Sequence, residues 1–333
     1  YGRLMASPWK FRKRGESGLA ISDLFPNLAE QADHLCLLRG MNTSVPAHPQ
    51  AFLELHTGTT QFVRPSLGAW TVYGMGTENA NLPGFISLGP PSGNGGSQNF
   101  GSAFLPAAYQ GTPIDMRRGN GTFANIRHPR LNTTDQRRQL DLIQSLNESN
   151  LDHRGNDPNV EGVIESYELA FRMQREVPDV MSLDQETAET QKRYGLERTE
   201  TQTFGRQCLM ARRFLESGVR FVEVSHHGWD QHVRLKADHE RHATAVDQPI
   251  AALIEDLDQR GLLDETLILF GGEFGRTPVV QNGDGRDHNH KGFAMWMAGG
   301  GVKGGYSHGA TDEFGREAID GKMNIHDLHA TVL

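Results

Sequence analysis

The sequence predicts an α/β protein with a doubly wound, mostly parallel sheet and helices on both faces. An apolar strand pattern at residues 220–224 is followed by a long amphipathic helix pattern at 235–257 and a second strand pattern at 266–270. Strand, helix and strand at this spacing are typical of a βαβ unit. The segments 266–270 and 293–298 are apolar throughout, which is typical of parallel strands that are buried on both faces.

Three further elements are predicted before that unit, in the N-terminal third of the chain. Residues 22–38 are amphipathic and predict a helix that leads into a short strand. The run at 50–56 predicts a short helix that Thr57 and Gly58 end, since glycine is favoured just after a helix C-terminus. Residues 83–121 are crowded with Gly, Ser, Asn and Pro, so we expect a long surface loop there.

Helical periodicity dominates the middle of the chain, at residues 134–146, 160–174 and 204–215. In the third of these segments, apolar residues recur every three or four positions and Gly218 marks the expected stop. The stripe includes Cys208, which we therefore expect in the core.

Composition limits the functions that the chain could have. Its residues include 33 Lys and Arg against 41 Asp and Glu, which gives a formal net charge of -8. Because an acidic chain lacks the basic surface that neutralises phosphates, we expect no nucleic-acid partner. No apolar run approaches the roughly 20 residues of a membrane-spanning helix, so we expect no membrane span.

The length of the chain fits one large α/β domain or two small ones, and we expect a single domain over residues 1–333. The chain opens on Tyr1 and stops inside a helical pattern at 326–333, so we expect it to be truncated at both ends. A signal peptide would precede Tyr1.

Side chains suited to metal binding flank the predicted strands, at the edge where open α/β sheets bind their ligands. Asp230 and His232 follow the first strand of the βαβ unit two residues apart, so both can reach one cation. Glu273 follows the second strand between small, permissive glycines, and His288 comes shortly before the next strand. Carboxylates and imidazoles together form a mixed oxygen and nitrogen site suited to zinc or manganese.

Some of these residues also have a structural interpretation. Asp230 would equally cap the following helix, which would leave His232 on the surface. Arg276, one turn beyond Glu273, is either a salt-bridge partner of that carboxylate or a clamp for an anion.

Five more histidines lie near the same segments. His290 shares a face with His288 in an extended chain, and it is either a second ligand or a structural residue. His239 and His242 fall on the apolar stripe of the long helix, which is typical of core histidines. His226 and His227 are neighbours at a strand end, so only one of them can face a pocket.

Short motifs spread along the chain carry a family likeness. They are residues 4–8, 37–41, 46–48, 56–58, 228–232, 272–277, 285–288, 298–305 and 309–312. In this order they resemble the bacterial family labelled domain of unknown function 1501, and the likeness covers nearly the whole chain.

That family is placed with the alkaline phosphatase and sulfatase superfamily, so the resemblance implies a two-metal site on a doubly wound sheet. It also implies a nucleophile at the start of the helix predicted at 50–56. Ser44 is the candidate, with Thr43 beside it. Glu273 would stand where phosphatases have a strand-end Asp, and the first strand of the superfamily fold would precede Tyr1.

These interpretations predict a metal-dependent hydrolase of sulfate or phosphate esters that acts on a small-molecule or glycan ester and is periplasmic or secreted. Ser44 would attack the ester and Arg276 would hold the oxyanion. The cofactor would be divalent metal ions, zinc first, with manganese and calcium as alternatives. The predicted metal ligands are Asp230, His232, Glu273 and His288. The alternative is a catalytically degenerate member that keeps the fold as an extracytoplasmic binding or structural module.

Overall fold

The computed structural model describes residues 2–91, 93–116, 121, 130–154 and 158–333. Over these residues the chain is a mixed α/β structure with helices and several small sheets. The α-helices are α1 (His48–Thr57), α2 (Leu67–Met75), α3 (Thr133–Arg154), α4 (Pro158–Met181), α5 (Ala188–Arg193), α6 (Gln202–Glu216), α7 (Leu235–Gln259) and α8 (Ile325–Val332). The strands are β1 (Phe11–Arg14), β2 (Leu19–Ser22), β3 (Leu35–Met41), β4 (Phe85–Leu88), β5 (Thr112–Ile114), β6 (Phe221–Val224), β7 (Ile268–Phe270), β8 (Gly275–Gln281), β9 (Gly285–Asn289), β10 (Phe293–Ala298), β11 (Tyr306–His308), β12 (Ala310–Thr311) and β13 (Ala318–Asp320).

Two of the sheets supply most of the framework. One has the strand order β5-β4-β6 and is parallel throughout, with Ile86 opposite Val222. The other has the order β11-β3-β10-β7, in which β10 runs antiparallel to both of its neighbours and β11 runs parallel to β3. The chain therefore contains one parallel sheet and one mixed sheet.

The pairing of β7 differs from the predicted βαβ unit. β6 and β7 lie in different sheets, and β7 pairs antiparallel with β10 through Phe270 and Trp296. The hairpin of β8 and β9 lies between β7 and β10 in sequence and pairs as a sheet of its own. With no crossover helix between β7 and β10, the chain can return in the opposite direction, as antiparallel pairing requires.

The helices predicted from residue 50 onward are confirmed, and several are longer than their apolar stripes. α1 ends at Gly58, which adopts a left-handed conformation with φ of 71°. α6 buries Phe204 and Cys208 as expected. α7 begins at Leu235 and contains Pro249 within its length. The helices predicted at residues 134–146 and 160–174 correspond to α3 and α4.

Two local predictions near the N-terminus were wrong. The loop predicted at 83–121 contains β5 and also β4, which is buried at all four of its residues. Glycines and prolines there flank short strands instead of preventing them. Within this segment, residue 92 and residues 117–120 lie outside the described part of the chain. The helix predicted at 22–38 is restricted to a 3-10 helix at Leu28–His34, and the short strand predicted to follow it is confirmed as β3.

The strands of the mixed sheet separate two cores. On β3, Leu35 contributes to a core with Trp296 and with residues of α6 and α7, whereas Cys36 and Leu38 contribute to another core with α8. This alternation is the period of two that a strand imposes. Among the described residues, no helix is both long enough and apolar enough to cross a membrane.

Candidate metal centre

Three imidazole rings converge on one carboxylate oxygen, Oδ1 of Asp230. The Nε2 atoms of His232, His288 and His48 lie 3.0, 3.1 and 3.3 Å from it. The Nη2 atom of Arg276 lies 2.6 Å from the same oxygen. We call His48, Asp230, His232 and His288 the Asp230 cluster.

A connection between regular elements supplies two residues of this cluster, and a strand supplies a third. Asp230 and His232 lie in the segment between β6 and α7, and His288 lies in β9. Gly228 begins the turn toward Asp230 with φ of 98°, and a Cβ at this position would lie 2.6 Å from the ring of His242. Only glycine combines that backbone conformation with that approach.

Helix α1 supplies the third imidazole from its first residue, His48. Pro49 follows at the start of the helix, where its missing N–H leaves no hydrogen bond unmade. The loop before α1 is tied to the same helix by Glu54, whose buried carboxylate accepts hydrogen bonds from the hydroxyls of Thr43 and Ser44 at 2.8 and 2.6 Å.

In each of the three histidines, the other ring nitrogen bonds to an oxygen. Nδ1 of His288 lies 2.6 Å from the carbonyl oxygen of Pro46. Nδ1 of His232 lies 2.5 Å from Oε1 of Gln281, and Nδ1 of His48 lies 2.5 Å from Oε1 of Glu273. Because these oxygens accept hydrogen bonds, each Nδ1 carries the proton.

In neutral rings, these tautomers leave an Nε2 lone pair on each of the three histidines, directed at the carboxylate of Asp230. Nε2 of His232 and Nε2 of His288 are 3.0 Å apart. Nε2 of His48 is buried and has no hydrogen-bond partner in the part of the chain that the structure describes. Lone pairs directed at one another and at an anion repel unless a cation lies between them.

A divalent cation fits this donor set. Ligand distances of about 2.0–2.2 Å place neighbouring ligand atoms of one cation roughly 3.0–3.5 Å apart, and the cluster spacings fall in or next to that range. Histidines that bind metals almost always donate their second ring nitrogen to an oxygen, as all three do here. His48, Asp230 and His288 each offer a ligand atom within 4.8 Å of the others.

Asp230 is held in its charged form. Partial burial opposes ionisation, but the guanidinium of Arg276 beside it holds the pKa of the Asp230 carboxyl well below its usual range. An ionised carboxylate is the form that binds a metal.

The structure unites most of the predicted site residues, though not all in the predicted way. Asp230, His232 and His288 come together. Glu273 reaches the cluster through His48. Arg276 forms a salt bridge, but with Asp230 and not with the expected carboxylate of Glu273.

Ser44 lies differently from its predicted place. It precedes α1 by several residues, and its exposed side chain donates to Glu54. His48 instead occupies the first position of the helix. In the sequence it was noted only as part of the family motif at residues 46–48. A histidine at the N-terminus of a short helix after a Pro-rich turn was the available signal.

The remaining histidines are divided by burial. His226 and His242 pack with Trp229, and the Nε1 atom of that indole donates to Nδ1 of His226 at 2.9 Å. Burial lowers the pKa of His226 and of His239 to about 4, so these rings are neutral at pH 7. His242 is buried, as its position on the apolar stripe indicated, whereas His226 and His239 are half-buried. His227 is exposed.

Comparison with known proteins gives the family of the chain. No curated protein matched the sequence. The profile of the family described as Protein of unknown function (DUF1501) matches residues 2–333, and the chain therefore belongs to that family.

Proposed function

We propose that this protein is a metal-dependent hydrolase of sulfate or phosphate esters. One observation carries the proposal: three histidines whose Nδ1 atoms are bonded to oxygens direct their Nε2 atoms at the ionised carboxylate of Asp230. His48, Asp230 and His288 would hold the cation, zinc in the first instance, with His232 beside them. Three protein ligands leave a coordination position for an ester oxygen.

The proposal uses one cation. His232, Asp287 and His288 form a second set of possible ligands, with 4.0 Å between Nδ1 of His232 and Oδ1 of Asp287. Both sets include His288, whose Nδ1 is already bonded to Pro46. A single free nitrogen binds a single cation, so the sets are alternatives. Glu273 acts by fixing the ring of His48 and not as a ligand.

The other residues have roles that follow from their charge and contacts. A bound divalent cation would polarise the ester and lower the pKa of an attacking hydroxyl or water. Arg276 would attract the anionic ester from its place beside Asp230. Ser44 would attack, with Glu54 placed to take its proton, since the hydroxyl already donates to Oε1 of Glu54.

We also propose that the protein is related to the alkaline phosphatase and sulfatase superfamily. This relationship includes the doubly wound fold of that superfamily and an extracytoplasmic location. What supports it is the resemblance of the motifs and the position of Asp230 and His232 in the segment that follows strand β6. We propose a small-molecule or glycan ester as substrate and no nucleic-acid partner, in keeping with the net charge of -8.

Elemental analysis coupled to ester hydrolysis tests the metal centre. The protein is stripped with EDTA, dialysed against zinc or manganese, and assayed on p-nitrophenyl sulfate and p-nitrophenyl phosphate. We expect one metal ion per chain and turnover only when it is bound. His288→Gln should lose both. His290→Gln is the matched control, because His290 lies two residues further on and contacts none of the cluster side chains in the described structure; it should keep both.

A paired substitution tests the nucleophile. Ser44→Ala should reduce turnover by several orders of magnitude with metal binding intact, whereas Thr43→Ala should have a small effect. If Thr43→Ala abolishes turnover instead, Thr43 is the nucleophile. If neither changes metal-dependent turnover, water attacks.

A second function is favoured by the bonds of Ser44. Because its hydroxyl and backbone N–H both bond to Glu54, the residue is equally suited to fixing the loop before α1. The alternative is therefore a metal-binding module without catalytic activity. A folded protein that binds zinc but hydrolyses neither ester would support this alternative, and a folded protein that binds no divalent metal would exclude both.

A further inference from the structure

A cavity of about 500 Å³ lies against one face of the mixed sheet. Leu37 of β3, Trp296 of β10 and Phe270 of β7 contribute apolar side chains to its wall. Ala294, in the same wall, is exposed although its neighbours in β10 are buried. The sheet is therefore uncovered at this point. The volume lies within the roughly 300–1,000 Å³ range of small-molecule sites.

The charged residues that line this cavity are all basic. Arg39, Arg276 and Arg286 line it, and no aspartate or glutamate does among the described residues. Asp230 neutralises Arg276. Arg39 is exposed to solvent.

Arg286 is the half-buried cation of the wall that has no carboxylate partner in the described structure. Its guanidinium donates to the carbonyl oxygens of Thr277 and Met5 at 3.1 and 2.7 Å. No carboxylate within the described chain pairs with it, and its side chain is half-buried. A partly buried guanidinium with only neutral acceptors gains from an anion that completes its hydrogen bonds.

We propose that this cavity binds an amphiphilic anion, with an aryl or alkyl body against Trp296 and Phe270 and a sulfonate, sulfate, phosphate or carboxylate head on Arg286. The binding goes beyond the proposed hydrolysis and does not depend on it. The apolar wall supplies most of the contact area, and Arg286 selects for negative charge. Since Arg276 also lines the cavity, the site adjoins the Asp230 cluster.

Two probes that differ by one sulfonate test the proposal. Titrations follow the fluorescence of 8-anilinonaphthalene-1-sulfonate and of its uncharged analogue N-phenyl-1-naphthylamine. EDTA is present, so that no cation at Asp230 contributes. We expect one site that binds the sulfonate at least tenfold more tightly than the neutral probe. Arg286→Met should remove that preference and Arg286→Lys should retain part of it, while Arg198→Met, which changes an exposed arginine elsewhere, should leave it intact.

Substitutions that fill the cavity identify its position. Ala294→Trp should abolish binding of both probes. Should that variant unfold, Ala20→Phe fills the rim from β2 and should weaken both. Thermal melting confirms that each variant is folded. Equal affinity for the two probes, no binding, or binding unaffected in both folded variants would overturn the proposal. The oligomeric state of the probe-free protein is measured as well. If the protein is a dimer and Ala294→Trp dissociates it, a second copy of the chain occupies the cavity and the proposal is overturned.

Discussion

The two ends of helix α1 carry histidines that each pair with a glutamate, yet only one of these rings has a nitrogen left for a ligand. At the first residue, Nδ1 of His48 bonds to Glu273 and Nε2 has no hydrogen-bond partner among the described residues. In the last turn, Nε2 of His56 bonds to Glu223 at 2.9 Å and Nδ1 bonds to the carbonyl oxygen of Phe52 at 2.7 Å. His56 is therefore fully occupied.

The difference teaches that a histidine can bind a metal ion only when one of its ring nitrogens is free. A carboxylate partner does not decide this role, since both histidines have one. Burial opposes the charge on His56, but the charge of Glu223 outweighs it and raises the pKa of the imidazole. The contact with His56 in turn outweighs burial at Glu223 and lowers the pKa of that carboxyl. We interpret His56 and Glu223 as a structural ion pair, and His48 and Glu273 as a ligand with its support.

The largest difference between the two ends should appear in zinc affinity. His48→Gln should weaken zinc binding by more than about 100-fold, because loss of a ligand exceeds the 10- to 100-fold typical of losing its supporting residue. His56→Gln should leave the affinity within about twofold. Competition with a chromophoric chelator measures both. Equal losses in the two variants would contradict the division of α1 into a ligand end and a structural end.

The supporting glutamates should differ by a smaller factor. Glu273→Gln keeps an acceptor for Nδ1 of His48 but loses its charge, so zinc affinity should fall by roughly tenfold. Glu223→Gln makes the same chemical change at the other pair and should leave zinc affinity unchanged. If the Glu273 variant binds zinc normally, the carboxylate does not tune His48.

The sequence predicted the part of the cluster that follows strand patterns. Asp230, His232, Glu273 and His288 were identified because ligand residues collect at strand ends. His48 was missed because its partners, Glu273 and Asp230, lie far along the chain, and no local pattern shows which nitrogen of a ring remains free. The alternation of polar and apolar residues does not report hydrogen-bond partners.

The fold was predictable to a similar extent and for similar reasons. Helices such as α6 and α7 carry their own periodicity over many turns. A strand of three residues such as β7 is recognised by its apolar side chains, but these do not specify which strand pairs with it or in which direction. The buried strand β4 was missed because the glycines and prolines around it dominate the local composition.

The ion pair of His56 should give stability a characteristic pH dependence. Its raised pKa means that the stabilisation is full below the ordinary value of 6.5 and is lost as the pH rises through the folded-state pKa. The lowered pKa of Glu223 means that the stabilisation is full above 4.5 and is lost as the pH falls. His56→Gln should therefore reduce the free energy of unfolding most between these values, by about 2 kcal/mol at pH 6, and less at pH 9.

Urea unfolding in EDTA at both pH values measures this difference. His227→Gln is the control, because within the described residues its exposed ring bonds to the carbonyl oxygen of Gly89, and its effect on the pKa of Glu223 is smaller than that of His56, so it should give a small loss. An equal penalty for His56→Gln at pH 6 and pH 9 would show that the pair is not ionic.

The smallest effect should come from the residue that ends α1. Gly58 has φ of 71°, and its N–H donates to the carbonyl oxygen of Glu54 at 2.8 Å. A Cβ there would lie 3.6 Å from the ring of His326, an ordinary contact, so Gly58→Ala should cost only the left-handed conformation, about 1 kcal/mol. Gly58→Asn should cost less, because asparagine tolerates that conformation.

Both losses can be measured by urea unfolding, with zinc affinity measured alongside. Since His48 lies at the opposite end of the helix, zinc affinity should not change in either variant. A tenfold loss of affinity in Gly58→Ala would mean that the two ends of α1 are coupled and that His48 depends on the structural pair.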